Sequence, residues 1–210
     1  MSQITIIDYG SGNLHSIAKA FEKEAGSHKL KVVISDKADD VDKASHIVLP
    51  GVGAFGDCIK GLQGLEGMMD SLHENVRLKK KPFMGVCVGM QMLADEGMEN
   101  GSHKGLGWIS GKVLPLKPSD PNLKIPHMGW NEIRIEQEHP VLEGISSGDH
   151  VYFVHSYHFD CTNKNNALAS VDYGQRVVSV IANDNIVAAQ FHPEKSQQVG
   201  LKFISNFLNM

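Results

Sequence analysis

Lys81-Pro82-Phe83-Met84-Gly85-Val86-Cys87-Val88-Gly89-Met90-Gln91 decides the fold. It is an apolar run broken by glycines two residues before and two residues after a cysteine. The pattern predicts a strand, a sharp turn and a helix, with Cys87 held at the turn in a strained backbone conformation. The flanking glycines let neighbouring backbone pack close. The sulfur would then point at a helix N-terminus, whose N–H groups and macrodipole favour a thiolate. A free cysteine is most often a small buried hydrophobe. Two glycines at an exposed strand–helix turn are a poor way to build a core, so the reactive reading is preferred.

Working outward, Val187-Ala188-Ala189-Gln190-Phe191-His192-Pro193-Glu194 reads as a buried strand ending in His-Pro-Glu. Pro193 restricts His192 to extended forms. In an extended segment residues i and i+2 share a side, so Glu194 can reach the imidazole. Cys87, His192 and Glu194, each at a predicted strand end, are the parts of a catalytic triad. In that triad His192 would take the thiol proton and later deliver one to a leaving amine. Pro50-Gly51-Val52-Gly53 ends another predicted strand and offers free backbone N–H groups at the same sheet edge. With the N–H of Val88, just past the cysteine, it is a candidate oxyanion hole.

The first half alternates strand and helix. Strands are expected at 4–8, 31–34, 46–49 and 82–86. Helices are expected at about 14–25, capped by Asn13, and from about 57 into the Val76 region. Short apolar runs without alternation suit a parallel sheet covered on both faces. The result is an open doubly wound α/β sheet, with its site at the carboxyl ends of the strands. In the second half, 105–121 reads as turns with short strands. Strands are expected at 125–135, 152–159, 167–171, 177–181 and 186–191, adding antiparallel strands and edge hairpins to the central sheet. A closing helix is expected at 199–208. No repeat, low-complexity segment or linker interrupts the chain, and 1–210 reads as one domain.

Composition sets the class. The chain has 210 residues, 41% hydrophobic and 21% charged, with a formal net charge of −4. That is an ordinary globular balance and argues against a nucleic-acid surface. Lys79-Lys80-Lys81 reads as a solvated run. No apolar stretch approaches the roughly 18–20 residues of a membrane span, and residues 1–8 read as a first strand rather than a signal peptide. Cys58, Cys87 and Cys161 are widely spaced and odd in number, which suits neither a disulfide framework nor a zinc site. A reducing, cytoplasmic setting is the simplest expectation. Asp8-Tyr9-Gly10-Ser11-Gly12-Asn13 resembles a dinucleotide loop, but His15 stands where its third glycine belongs. His155 and His158, three apart on a predicted strand, face opposite sides and do not share one ion.

Together these residues resemble the class I (triad-type) glutamine amidotransferases, over essentially the whole length. The elbow and His-Pro-Glu belong to the class. Leu49-Pro50-Gly51-Val52-Gly53-Ala54-Phe55, Pro126-His127-Met128-Gly129-Trp130-Asn131 and Tyr152-Phe153-Val154-His155-Ser156-Tyr157 resemble, more closely, its branch of glutaminase subunits of imidazole glycerol phosphate synthase. The resemblance implies a three-layer flavodoxin-like sheet, mostly parallel, with helices on both faces and extra antiparallel strands in the C-terminal half. It implies hydrolysis of L-glutamine to glutamate and ammonia in histidine biosynthesis, without cofactor or metal. It also implies a heterodimer with a cyclase/synthase subunit, a (β/α)₈ barrel that receives the ammonia. By position Val52 and Val88 take the oxyanion roles. Gly53, Gln91, Glu99 and the backbone of Ser156 and Tyr157 hold glutamine. Asn13, Trp130, Tyr152 and Lys195 face the partner. Trp108 departs from the pattern, standing where the family has a smaller apolar residue. The rival expectations are a glutaminase serving a chorismate-aminating synthase, against which His-Met-Gly-Trp-Asn argues, and a non-enzymatic α/β binding module. A further expectation is that the Val52 N–H is turned away until the partner binds its ligand, because Gly51 and Gly53 ease a peptide flip.

Overall fold

A computed structural model describes residues 2–210, without the side chains of 27 and 28. The first half runs β1 (Gln3–Ile7), α1 (Leu14–His28), β2 (Lys31–Ser35), α2 (Ala38–Lys43), β3 (Ala44–Gly51), α3 (Phe55–Gln63), α4 (Met68–Leu72), β4 (Phe83–Cys87) and α5 (Val88–Gln91). The second runs β5 (Glu96–Gly97), β6 (His103–Lys104), β7 (Gly111–Pro115), β8 (His127–Glu132), β9 (Arg134–Ile135), β10 (His150–His155), β11 (Tyr157–Cys161), β12 (Ala167–Asp172), β13 (Arg176–Asn183), β14 (Ile186–Ala189) and α6 (Gln197–Leu208).

The main sheet has eight strands in the order β2-β1-β3-β4-β14-β13-β12-β9. The five from β2 to β14 pair in parallel; the last three add on antiparallel. Right-handed crossovers put α1 on one face and α2 on the other, because β1 leads leftward to β2 and β2 leads rightward past β1 to β3. Contacts agree: α1 packs on α6, and α2 on α4. The central strands β1, β3, β4 and β14 are buried almost throughout, whereas β2, at the edge, is partly exposed.

Several expectations need correcting. Asn13 starts α1 without a side-chain cap bond. The single helix expected from about 57 breaks at Gly64–Gly67, where Gly67 has φ +69, and resumes as α4 followed by a π-helical turn, His73–Leu78. α2 was not anticipated. The strand expected at 125–135 is two, β8 and β9, in different sheets. The strand expected at 152–159 also breaks, at Ser156. Its first part, β10, pairs only with β8, and its second, β11, joins β7, β5 and β6. The second half therefore builds two small sheets besides extending the large one. The lysine run is solvated as expected, with surface contacts from Lys79 to Glu74, Lys80 to Asp184 and Lys81 to the Asp42 carbonyl.

Aromatic packing fixes the strand end that matters most. Phe191, 1% exposed, stands edge-on to Phe153 of β10 and Phe203 of α6, at 6.1 and 5.4 Å between centroids. Truncating such a buried ring to alanine costs about 3–5 kcal/mol. Gly200 of α6 lies against the Pro193 carbonyl, where any Cβ would overlap that oxygen. The helix thus packs directly onto the His-Pro-Glu turn. Trp108 sits edge-on to Phe83 at 5.2 Å, so its bulk is absorbed at the base of β4, away from Cys87.

Candidate active site

Cys87 ends β4 with φ 55 and ψ −112, a conformation L-residues rarely adopt. Such strain costs on the order of 1–3 kcal/mol and persists where the surroundings over-determine it. Here they do. A Cβ on Gly89 would overlap the Leu49 carbonyl of β3, and one on Gly85 would lie 2.7 Å from the Gly89 oxygen. The two glycines are what let β4 turn into α5 against β3. In the β3–β4 register Gly51 stands opposite Cys87, so the Pro-Gly-Val-Gly loop meets the sulfur as expected.

His192 comes from the adjacent strand end, two residues past Gln190, and its Nδ1 lies 2.8 Å from Glu194 Oε1. The side chains are 3% and 2% exposed. The pairing is as anticipated, but its route differs. Pro193–Lys195 is a 3₁₀ turn, so Glu194 reaches the ring by curling back rather than along an extended chain. Burial alone would lower the imidazole pKa. The Cys87 sulfur and the Glu194 carboxylate outweigh it and raise the group to about 10. The sulfur attracts the imidazole proton and its charge, although Nε2 makes no hydrogen bond of standard geometry. Backbone ties hold the turn: His192 N–H donates to the Tyr152 carbonyl, and Ser196 Oγ accepts from Tyr152 N–H and donates to the His192 carbonyl.

A cavity of about 300 Å³ opens over Cys87 and His192, lined by Val52, Gly53, Val88, Gln91, Glu99, Ser156 and Tyr157 among others. The structure thus brings every predicted oxyanion and substrate residue to one place. Glu99 accepts from the Phe55 N–H at the start of α3, at 2.7 Å. Gln91 spends its amide protons on the Tyr157 carbonyl (2.9 Å) and Gln190 Oε1 (3.0 Å). The group it can offer a ligand is therefore its carbonyl oxygen. Val52 is held from outside the cavity: its N–H donates to Ser11 Oγ at 3.3 Å, and its carbonyl accepts from Ser11 Oγ and Cys58 Sγ. A larger, open cleft of about 690 Å³, beside the Glu136–Arg176 ion pair, contains none of the predicted catalytic or substrate residues.

Trp130, Tyr152 and Lys195 gather outside the site. Tyr152 stands edge-on to Trp130 at 6.0 Å, and Lys195 Nζ sits 5.4 Å from the Tyr152 ring centre. Asn13 is exposed at the start of α1, and no hydrogen bond or ring contact joins it to that cluster among the described residues. His155 and His158 diverge, the first toward His127 and the second toward Gln175. Among the described residues no group of three or more His, Cys, Asp or Glu could hold a metal ion. No helix there is long and apolar enough to cross a membrane.

Three contributors carried no role in the sequence reading. Gln190, fully buried, donates to Cys87 Sγ at 3.8 Å. A glutamine inside an apolar strand run was its signal. Ser11 and His127 lay inside quoted motifs, but nothing local gave them a role, because their partners are distant in sequence.

The glutamine amidotransferase class-I family profile matches residues 5–210. The chain is 52% identical to the imidazole glycerol phosphate synthase subunit HisH of Rhodospirillum rubrum, across 98% of each chain. It is also 52% identical to the HisH of Ruegeria pomeroyi, across 97% of this chain and 96% of that one. Among solved structures it superposes on PurLQS from Thermotoga maritima with a TM-score of 0.72 at 16% identity, over 99% of this chain and 98% of that chain. A glutamine amidotransferase crystal structure gives the same TM-score and identity, over 98% and 99%. The chain belongs to the class-I glutamine amidotransferases, in the branch formed by the HisH subunits of imidazole glycerol phosphate synthase.

Proposed function

We infer that the chain is the glutaminase subunit of an imidazole glycerol phosphate synthase, hydrolysing L-glutamine to L-glutamate and ammonia for histidine biosynthesis. The observation that carries the chemistry is the strained Cys87 turn facing the buried His192–Glu194 pair across one cavity.

The Cys87 thiolate attacks the side-chain carboxamide carbon of glutamine, forming a C–S bond and an oxyanion. The N–H groups of Val88 and Val52 receive that oxyanion. His192, cationic beside Glu194, gives its Nε2 proton to the nitrogen. The C–N bond breaks, and ammonia leaves behind a γ-glutamyl thioester. Water then attacks the thioester carbon, passing a proton to His192, and the thiolate departs with glutamate. The Gln91 carbonyl suits the α-ammonium of glutamine, and Gly53, Glu99, Ser156 and Tyr157 complete the subsite.

The ammonia passes to a cyclase/synthase subunit. We assign this partner a (β/α)₈ barrel in a heterodimer, contacted through Asn13, Trp130, Tyr152 and Lys195 and forming imidazole glycerol phosphate and aminoimidazole carboxamide ribonucleotide. Trp130 at 46% and Met128 at 61% exposed give that face an apolar centre. One domain, a cytoplasmic setting and the absence of cofactor or metal complete the proposal. Ser11 holding the Val52 N–H supports a gate: the second oxyanion donor becomes free only when the loop turns.

Glutamate release by the chain alone, and mixed with a cyclase barrel plus its ribonucleotide ligand, tests the reading. Activity is expected in the mixture and lost with Cys87→Ala. Activity that ignores the barrel would remove the proposed partner, and activity surviving Cys87→Ala would remove the mechanism.

A further inference from the structure

His127 and His155 are buried, at 3% and 6% exposed, and the steps above use neither. They form one line of hydrogen bonds. His155 Nδ1 lies 2.8 Å from the Tyr157 carbonyl, and its Nε2 lies 3.0 Å from His127 Nδ1. His127 Nε2 lies 3.3 Å from Asn131 Nδ2.

The tautomers follow from either end. A carbonyl only accepts, so His155 Nδ1 carries its proton and Nε2 accepts; His127 Nδ1 must then be the donor. From the other end, Asn131 Oδ1 accepts from the Glu132 N–H, so its NH₂ donates, to the Asp172 carbonyl and to His127 Nε2. His127 is again protonated on Nδ1. Every ring nitrogen is satisfied with both rings neutral. Burial pushes His127 down to about 4 and His155 to about 3, which keeps them so at neutral pH. The His127 ring is also clamped, stacked between Tyr173 at 4.0 Å and Phe153 at 4.7 Å.

We propose that His127 and His155 are positioning residues for glutamine binding: their Nδ1-protonated pair fixes the Tyr157 carbonyl and, through it, the amide orientation of Gln91. The Tyr157 carbonyl receives both His155 Nδ1–H and Gln91 Nε2–H. With the other His155 tautomer a lone pair would face that oxygen, the carbonyl would move and Gln91 would lose the bond that turns its own carbonyl to the cavity. The line begins on β8, the strand bearing Trp130, so the subsite is built from the same strand as the proposed docking face.

The proposal rests on the glutaminase reading, so its test has one arm that needs no activity. Imidazole ¹⁵N spectra of the full chain at pH 7 should show His127 and His155 neutral and protonated on Nδ1. An Nε2–H tautomer or a charged ring at either position overturns the proposal even if glutaminase activity is normal. In the complex, His155→Leu and His127→Leu should raise the KM for glutamine about tenfold, with kcat falling less than about threefold. His155→Asn and His127→Asn, whose amide N–H can replace Nδ1–H, should recover to within about threefold of wild type. An unchanged KM in the leucine variants, or asparagine variants no better than leucine, reduces the pair to core packing. A wild-type complex without glutaminase activity would remove the function while leaving the spectra to judge the relay.

Discussion

His192 and His155 line the same cavity and are buried to nearly the same degree, yet they are held in opposite charge states. His192 meets a carboxylate and a sulfur and is raised to about 10. His155 meets a carbonyl and a second imidazole and is lowered to about 3. Burial disfavours the cation in both. The partner decides: a buried anion repays the desolvation, and a neutral acceptor does not. One residue type thus stands as a cation on one wall and as a neutral hydrogen-bonding strut on the other.

Glu194→Gln should break the comparison hardest, removing the anion while keeping the shape. His192 should fall toward or below its ordinary pKa and kcat should drop on the order of a thousandfold, by analogy with orienting carboxylates in other triads. A loss under tenfold would mean that the sulfur alone holds the ring. The converse swap, His127→Glu, places a carboxylate beside His155. Its ring should become cationic at pH 7 in ¹⁵N spectra, at a stability cost of about 1–3 kcal/mol from the lost stack and the buried charge. A ring still neutral would show that solvent screens the pair or that the introduced carboxylate turns away from the ring.

The pH dependence of stability should carry both signs. The folded pKa values of His127 and His155 lie below the unfolded value near 6.5. Their contribution is therefore complete above pH 6.5 and lost as pH falls from there toward about 4 and 3. For His192 the folded value is raised, so its contribution is complete below pH 6.5 and lost as pH climbs toward 10. Urea midpoints across pH 4–10 should peak near neutrality, and His127→Asn with His155→Asn should flatten the acid arm only. A double variant with an unchanged acid arm would assign that loss to other groups. The smallest effect is expected at the loop facing both rings. Ser11→Ala removes the Ser11–Val52 hydrogen bonds and should raise glutamate release by the isolated chain a few-fold; no rise would exonerate Ser11 as the hold on the proposed gate.

The parallel half of the fold and the gathering of Cys87, His192 and Glu194 were legible because their signals are local. The glycines around Cys87 and the His-Pro-Glu turn announce strand ends within a few residues. α2 was missed because Ala38–Lys43 is short and carries one buried apolar residue, Val41. The break at Ser156 was missed because 152–159 reads as one continuous run. The pairing of His127 with His155 depends on the β8–β10 register across 28 residues, which periodicity does not encode.

β10 is six residues long, and it holds two unrelated things three residues apart, at Tyr152 and at its last residue, His155. At Tyr152 its carbonyl fastens the backbone of His192, and at His155 its ring fastens the Tyr157 carbonyl. A strand advances about 3.3 Å per residue and turns each side chain over at every step. One residue inserted or deleted between Tyr152 and Tyr157 would therefore misplace either His192 or the Tyr157–Gln91 contact, whatever residue it was. Chain length in this strand is constrained as tightly as residue identity is at Cys87, and a survey of tolerated insertions along the chain should find a gap there.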